Sequence, residues 1–210
     1  MRIRLVVVAA VLACSVLPQC ANASSAEKIR NAKVVVTEES LDSGQAEPPL
    51  HDLPSIIVYM NAGRAQLTGT GHPAENVSAG ETVFSPSHSG ALKNVGSGSL
   101  HLARIQFLTA GADETWGTTG LAPHYKLLLE NRFARAYDIK IPAHTKEPLH
   151  THHDRVVVSL SGAKLEHLLP SGEVQPSTLK TGEIVWRRGG THVGHNLGDT
   201  NLWVIAVEPK

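Results

Sequence analysis

From about residue 33 onward the apolar residues fall into short runs rich in Val, Ile, Leu, Phe and Tyr, separated by Gly, Pro, Asn and Ser. The runs are Lys33–Thr37, Ser55–Met60, Ala65–Leu67, Glu81–Phe84 and Leu100–Leu108, and the pattern returns in Phe133–Ile141, Arg155–Leu160, Ala163–Leu168, Glu183–Trp186 and Leu202–Val207. Runs of this length bounded by turn formers predict strands, and their even spacing predicts a sandwich or barrel. Helical periodicity is convincing only at the start of the chain and admissible around Ser25–Ala32, so the rest is expected to be nearly all β.

Sliding the chain along itself lays Gly80-Glu81, Val83, Asn94, Gly96 and Leu100 on Gly182-Glu183, Val185, Asn196, Gly198 and Leu202 without a gap. With small gaps, Glu47-Pro48-Pro49-Leu50-His51 resembles Glu147-Pro148-Leu149-His150, and Ile56–Met60 resembles Arg155–Leu160. Such a repeat predicts two copies of one unit, over residues 33–112 and 124–210, joined by the Gly- and Thr-rich stretch Gly111–Pro123.

Residues 1–23 read as a secretory signal of bacterial character: Met1-Arg2-Ile3-Arg4 is the basic start, Leu5–Leu17 the apolar core and Ala21-Asn22-Ala23 the cleavage pattern. The apolar run is shorter than the roughly 20 residues that span a bilayer. The expectation is an exported chain starting at Ser24, periplasmic or extracellular, with a lipid-anchored form at the lipobox-like Val11-Leu12-Ala13-Cys14 as the alternative. Both cysteines, Cys14 and Cys20, lie in this segment, so the exported chain would carry neither thiol nor disulfide. The 19 basic and 19 acidic residues balance, and losing Arg2 and Arg4 leaves a slight acidic excess. Without a basic block the chain is expected to bind neither nucleic acid nor, after removal of the signal, a membrane.

The second unit contains Glu130-Asn131, Arg135-Ala136-Tyr137, Ile141-Pro142, His150-Thr151-His152, Val156-Val157-Val158, Gly162, Gly182-Glu183, His192, Asn196 and Val207-Glu208-Pro209-Lys210. In these residues it resembles the cupin superfamily, particularly its small single-barrel domains, and the resemblance extends over nearly all of the chain after the signal. It implies an all-β fold of two tandem jelly-roll barrels, a bicupin. It also implies a divalent metal, Fe, Mn, Ni or Zn, held by the His-x-His pair and a later histidine. Residues two apart on a strand share a face, so His150 and His152 can point together into a barrel while His153 points away. His192 is the candidate third ligand, and neutral imidazoles suit such ions.

Two departures from the motif matter. Arg155 stands where the family's glutamate ligand is expected, and a cation cannot ligate a metal. The site is then three histidines, or Asp154 takes over, or there is no metal. Arg187-Arg188-Gly189-Gly190 replaces the usual turn, and its arginines could clamp a carboxylate. Arg188, Asp154 and Asn196 are therefore the candidate substrate-binding residues, while no catalytic residue singles itself out, and His195 reads as an outer residue. In the first unit His51 is followed by Asp52, and Gly90 stands at the position of His192, with His88 the nearest alternative. That barrel is expected to be structural or ligand-binding. Asn76-Val77-Ser78 matches a glycosylation acceptor, a tripeptide too short to weigh. The functions that follow are a metal-dependent oxygenase, isomerase or decarboxylase acting on a small organic acid, a binding protein for a small molecule without metal, or a storage scaffold. The assembly expected is a monomer or homodimer.

Overall fold

The computed structural model describes residues 23–47, 53–87 and 90–210, which form strands and turns and no helix. Residues 1–22, His51, Asp52 and His88 lie outside the described residues, and with them the expected leader and part of the degenerate ligand set. The first unit comprises β1 (Ser24–Arg30), β2 (Val34–Leu41), β3 (Ser55–Tyr59), β4 (Gly63–Leu67), β5 (Glu75–Val77), β6 (Thr82–Ser85), β7 (Leu92–Asn94) and β8 (Leu100–Phe107). The second comprises β9 (Tyr125–Glu130), β10 (Ala134–Ile141), β11 (Lys146–His152), β12 (Arg155–Ser161), β13 (Ala163–Leu168), β14 (Val174–Leu179), β15 (Ile184–Arg187), β16 (Gly190–Asn196) and β17 (Leu202–Pro209). In the first, the five-stranded sheet β1-β2-β8-β3-β6 is joined by the three-stranded β5-β4-β7; in the second, β15-β12-β17-β10-β9 is joined by the four-stranded β11-β16-β13-β14. Every pairing is antiparallel.

The two five-stranded sheets cover one another. One core contains Val34, Val36, Ile56, Val58 and Ile105 of the first unit with Ala136, Val156, Val158, Ile205 and Val207 of the second. Alternate residues of the same strands turn the other way, into each barrel: Leu41, Ile57 and Leu102 in the first, Tyr137, Ile139, Val157 and Val204 in the second. Strands buried on both faces lose the apolar–polar alternation of a half-exposed strand. That is why Ile56-Ile57-Val58 and Val156-Val157-Val158 read as continuous apolar runs. Phe133 joins the units, stacking on Phe84 and Phe107 with centroids 5.7 and 5.6 Å away.

The duplication is visible in the turns. Asn31 Oδ1 accepts the amides of Lys33 and Val34, and Asn131 Oδ1 accepts those of Phe133 and Ala134. Gly80 and Gly182 adopt φ of +80° and +82°, open to glycine at little cost, and the following Glu81 and Glu183 accept the amides of Ser78 and Lys180.

The segment Ser25–Ala32, admissible as a helix, is instead the edge strand β1, paired with β2 from Ser24↔Ser40 to Arg30↔Val35. Its single apolar anchor, Ile29, packs on the shared core, and sheet pairing overrides a weak local propensity. The connecting stretch docks on the second barrel, where Trp116 and Gly117 donate their amides to Glu130 and the carbonyls of Gly117 and Thr119 accept from Arg135.

The first barrel encloses a charged cluster. Arg104 on β8 pairs with Glu47 and donates to Ser55 Oγ at 3.0 Å, while Glu39 Oε1 lies 3.7 Å from its Nε. Burial, then the neighbouring Glu47, pushes Glu39 up to about 8 from an ordinary 4.5. A carboxyl raised in the fold binds a proton that the unfolded chain releases, so its stabilising contribution is complete below about 4.5 and lost as pH rises through about 8. In urea unfolding, stability of the unaltered protein relative to Glu39→Gln is expected to fall across this interval; a constant difference between the two would contradict this assignment.

Candidate metal centre

Strand β11 carries two of the candidate ligands, and its register breaks just before them. The ladder with β16 shifts between Lys146 and Leu149, and this bulge turns Glu147 to the same side as His150 and His152, although 147 and 150 differ in parity. All three are buried, with residue exposures of 3, 5 and 3%. His192 on β16 is the direct cross-strand partner of His150. One nitrogen from each of His150, His152 and His192 lies within 4.8 Å of the others, and among the described residues this is the one group of its kind. His153 points away and stacks on Trp116 with centroids 3.9 Å apart.

Hydrogen bonding assigns the tautomers. His150 Nδ1 is 2.8 Å from the Pro148 carbonyl, which can only accept, so Nδ1 carries the proton and Nε2 a lone pair. Tyr137 gives its single proton to Glu208 Oε1 at 2.7 Å, so its oxygen accepts from His152 Nδ1 at 3.1 Å. Arg135 donates to Glu208 Oε2 through Nε and Nη2, at 2.8 and 2.5 Å. His152 Nε2 is then bare as well. The two bare nitrogens lie 3.0 Å apart. Tyr125 Oη is 3.0 Å from His150 Nε2, 3.3 Å from His152 Nε2 and 3.3 Å from Glu147 Oε2, and has one proton for the three of them.

Burial governs the protonation of the group. It holds His150, His152 and His167 below the ordinary imidazole value, with Arg155 adding repulsion, and takes His192 down to about 3, with His167, His150 and Arg155 contributing. Neutral imidazoles are the ligating form. Burial also raises Glu147 to about 7, against the Tyr125 hydrogen bond, and pushes the Tyr125 and Tyr137 phenols well above 10.0. Glu147 Oε1 is buried without a hydrogen-bond partner. With metal–nitrogen bonds of about 2.1 Å, nitrogens 3.0 Å apart would subtend about 90° at an ion, the angle of neighbouring octahedral ligands. The donor set thus fits a divalent ion.

The group opens on a cavity of about 650 Å³ lined by Tyr125, Glu147, Arg155, His167 and His192 among others. Arg188 is exposed at its mouth. Asp154 lies in the turn before β12 and accepts the Gly189 amide at 2.7 Å. Asn196 is fully buried, its Nδ2 within 3.2 Å of the carbonyls of Ile141, Pro142 and Thr200 and its Oδ1 accepting the Gly198 amide. Asn94 does the same in the first unit, so the sequence match at these positions marks a turn lock. His195, half-buried, pairs with Glu166 at 3.2 Å. Sequence reasoning passed over Tyr125, Glu147 and His167. His167 shares strand parity with Ala163 and Leu165, a signal that points it into the barrel, and its ring lies 4.7 Å from that of His192.

Solved structures share this architecture. A cupin 2 conserved barrel domain protein from Leptotrichia buccalis aligns with a TM-score of 0.59 at 13% identity over 90% of both chains. AerE from Microcystis aeruginosa aligns at 0.61 and 11%, over 90% of this chain and 97% of its own. Oxalate decarboxylase from Bacillus subtilis, a protein with Mn(II) centres, aligns at 0.59 and 10%, over 84% of this chain and 68% of its own. The chain therefore has the two-barrel cupin fold. No family model matches its sequence, and no curated protein is similar to it.

Asn196→Ala is expected to lower unfolding stability by about 1–3 kcal/mol, the cost of unpaired buried groups, while the ligand-binding properties of the cavity persist. Loss of ligand binding with stability unchanged, measured by calorimetry and urea unfolding, would instead place Asn196 in the binding site.

Proposed function

We propose that the second barrel holds a divalent metal on His150, His152 and His192 and acts on a small organic acid or similar metabolite. The observation that carries this reading is the pair of imidazole nitrogens, both bare and 3.0 Å apart. Two lone pairs at that distance repel unless a cation lies between them, and the Tyr125 proton can serve only one. Fe, Mn and Ni accept neighbouring ligands at about 90° more readily than tetrahedral Zn does. The Mn(II) centres of oxalate decarboxylase, which has the same fold, are in keeping with this choice.

A bound ion would supply Lewis acidity or redox chemistry at the cavity floor. The chain's own residues do the rest. The Pro148 carbonyl and the Tyr137–Glu208–Arg135 relay orient the two β11 imidazoles. The free oxygen of Glu147 is placed to accept a proton beside the Tyr125 hydroxyl. The basic, apolar and small-residue pattern of residues 1–23 supports export. A second reading, a small-molecule-binding barrel without metal, draws on Arg155 at the position where a carboxylate ligand is expected.

Untagged protein analysed by mass spectrometry is expected to carry close to one equivalent of metal, lost in His150→Ala and in His192→Ala. Tyr137→Phe, which removes the support under His152, is expected to weaken metal affinity about 10- to 100-fold. Protein that stays metal-free after incubation with Fe, Mn, Ni and Zn would leave the metal-free binding barrel as the correct reading.

A further inference from the structure

We propose that Arg155 and Arg187 form an anion subsite in the second barrel that selects a carboxylate with an apolar body. The subsite rests on the reading above only in taking its occupant to be the substrate of the histidine centre. The two arginines are direct cross-strand partners on β12 and β15, and with Val157 and Val185 they face the barrel interior, where both line the cavity.

Like charges directly opposite one another in a ladder are unfavourable, and a buried cation is ordinarily paired. Among the described residues the other two buried arginines obey this rule: Arg104 pairs with Glu47 and Arg135 with Glu208. Arg155, 8% exposed, does not. Its Nη1 reaches the His153 carbonyl at 3.4 Å, its Nε is buried with no partner, and no carboxylate pairs with it among the described residues. Arg187 has only the hydroxyl of Ser177, at 3.2 Å, and is likewise without a carboxylate among the described residues. Two guanidinium forks are thus aimed into a cavity that also exposes the apolar side chains of Ile139, Val157 and Leu165. A guanidinium fork matches the two oxygens of a carboxylate, and the apolar wall accepts the rest of such a molecule. Arg155 lines the same cavity as His152, His167 and His192, so an anion lodged on it shares that cavity with the histidine centre.

The test is titration calorimetry of the metal-loaded protein with benzoate, which chelates metals weakly, alongside neutral benzamide and inorganic phosphate, with metal content measured in parallel. Benzoate is expected to bind, about tenfold or more weakly in Arg155→Gln and in Arg187→Gln, and benzamide is expected to bind far more weakly than benzoate. Arg155→Gln is expected to keep its metal, whereas His192→Ala loses metal but keeps benzoate, so the two sites fail independently. Should Arg155→Gln not fold, Arg155→Lys keeps the charge without the fork and is expected to weaken benzoate several-fold, as Arg187→Gln does. Equal benzoate affinity in all variants, equal binding of benzamide, or phosphate binding as tightly as benzoate would each overturn the proposal.

Discussion

A sheet that is apolar on both faces must be covered twice. Both large sheets of this protein are of that kind, and each lays one face on the other while curling the second around its own barrel. Burial of the shared face, at about 25 cal/mol per Å² of apolar surface, requires no particular residue, only alternation in phase with the pleat. The other phase is thereby committed to the barrel interiors. In β12 the residues that build the shared core are Val156 and Val158, so Arg155 and Val157 point inward with no other choice. The site inherits its orientation from the packing of the two halves.

What each interior does with that commitment differs. The first closes around Arg104, which pairs with Glu47 and keeps Glu39 Oε1 within 3.7 Å, although Glu39 Oε2 and Arg104 Nε stay without hydrogen-bond partners. The second pairs Arg135 with Glu208 but leaves other polar groups unsatisfied: two imidazole nitrogens 3.0 Å apart that share one Tyr125 proton, a Glu147 oxygen without a partner and an Arg155 guanidinium with no counter-ion among the described residues. Buried polar groups are costly unless satisfied, and the second barrel keeps several of them around its cavity. The turn locks at Asn94 and Asn196 repeat faithfully between the units while the interiors diverge, which separates the residues that make the barrel from those that make the site.

Much of this was legible in the sequence. The apolar runs locate β2, β3, β6 and β8 of one large sheet and β10, β12, β15 and β17 of the other, though not β1 or β9, the repeat of Asn94 and Gly96 in Asn196 and Gly198 marks the duplication, and strand parity places His150 with His152. Less legible were the elements without apolar runs. β1, β14 and β16 are mostly exposed or half-exposed strands whose side chains carry little hydrophobic signal. Glu147 was hidden by the bulge in β11, because a local register break inverts the parity on which the reading depends. Of the two adjacent arginines, parity with Val185 turns Arg187 inward, whereas Arg188 follows the end of β15 and stays exposed. The tautomer of His152 rests on partners distant in sequence, Tyr137 and the Glu208 beneath it, whereas that of His150 rests on the nearby Pro148 carbonyl.

The metal proposed for the second barrel would be held through imidazole nitrogen. X-ray absorption spectroscopy of the Mn(II)-loaded protein tests it most directly, since imidazole rings add a distinctive outer-shell scattering to the nitrogen and oxygen shell around the ion. Scattering at the strength of three imidazoles is expected in the unaltered protein, whereas His192→Ala, which does not retain the ion, is expected to lose it. A shell of oxygen alone in the unaltered protein, without imidazole scattering, would contradict the account.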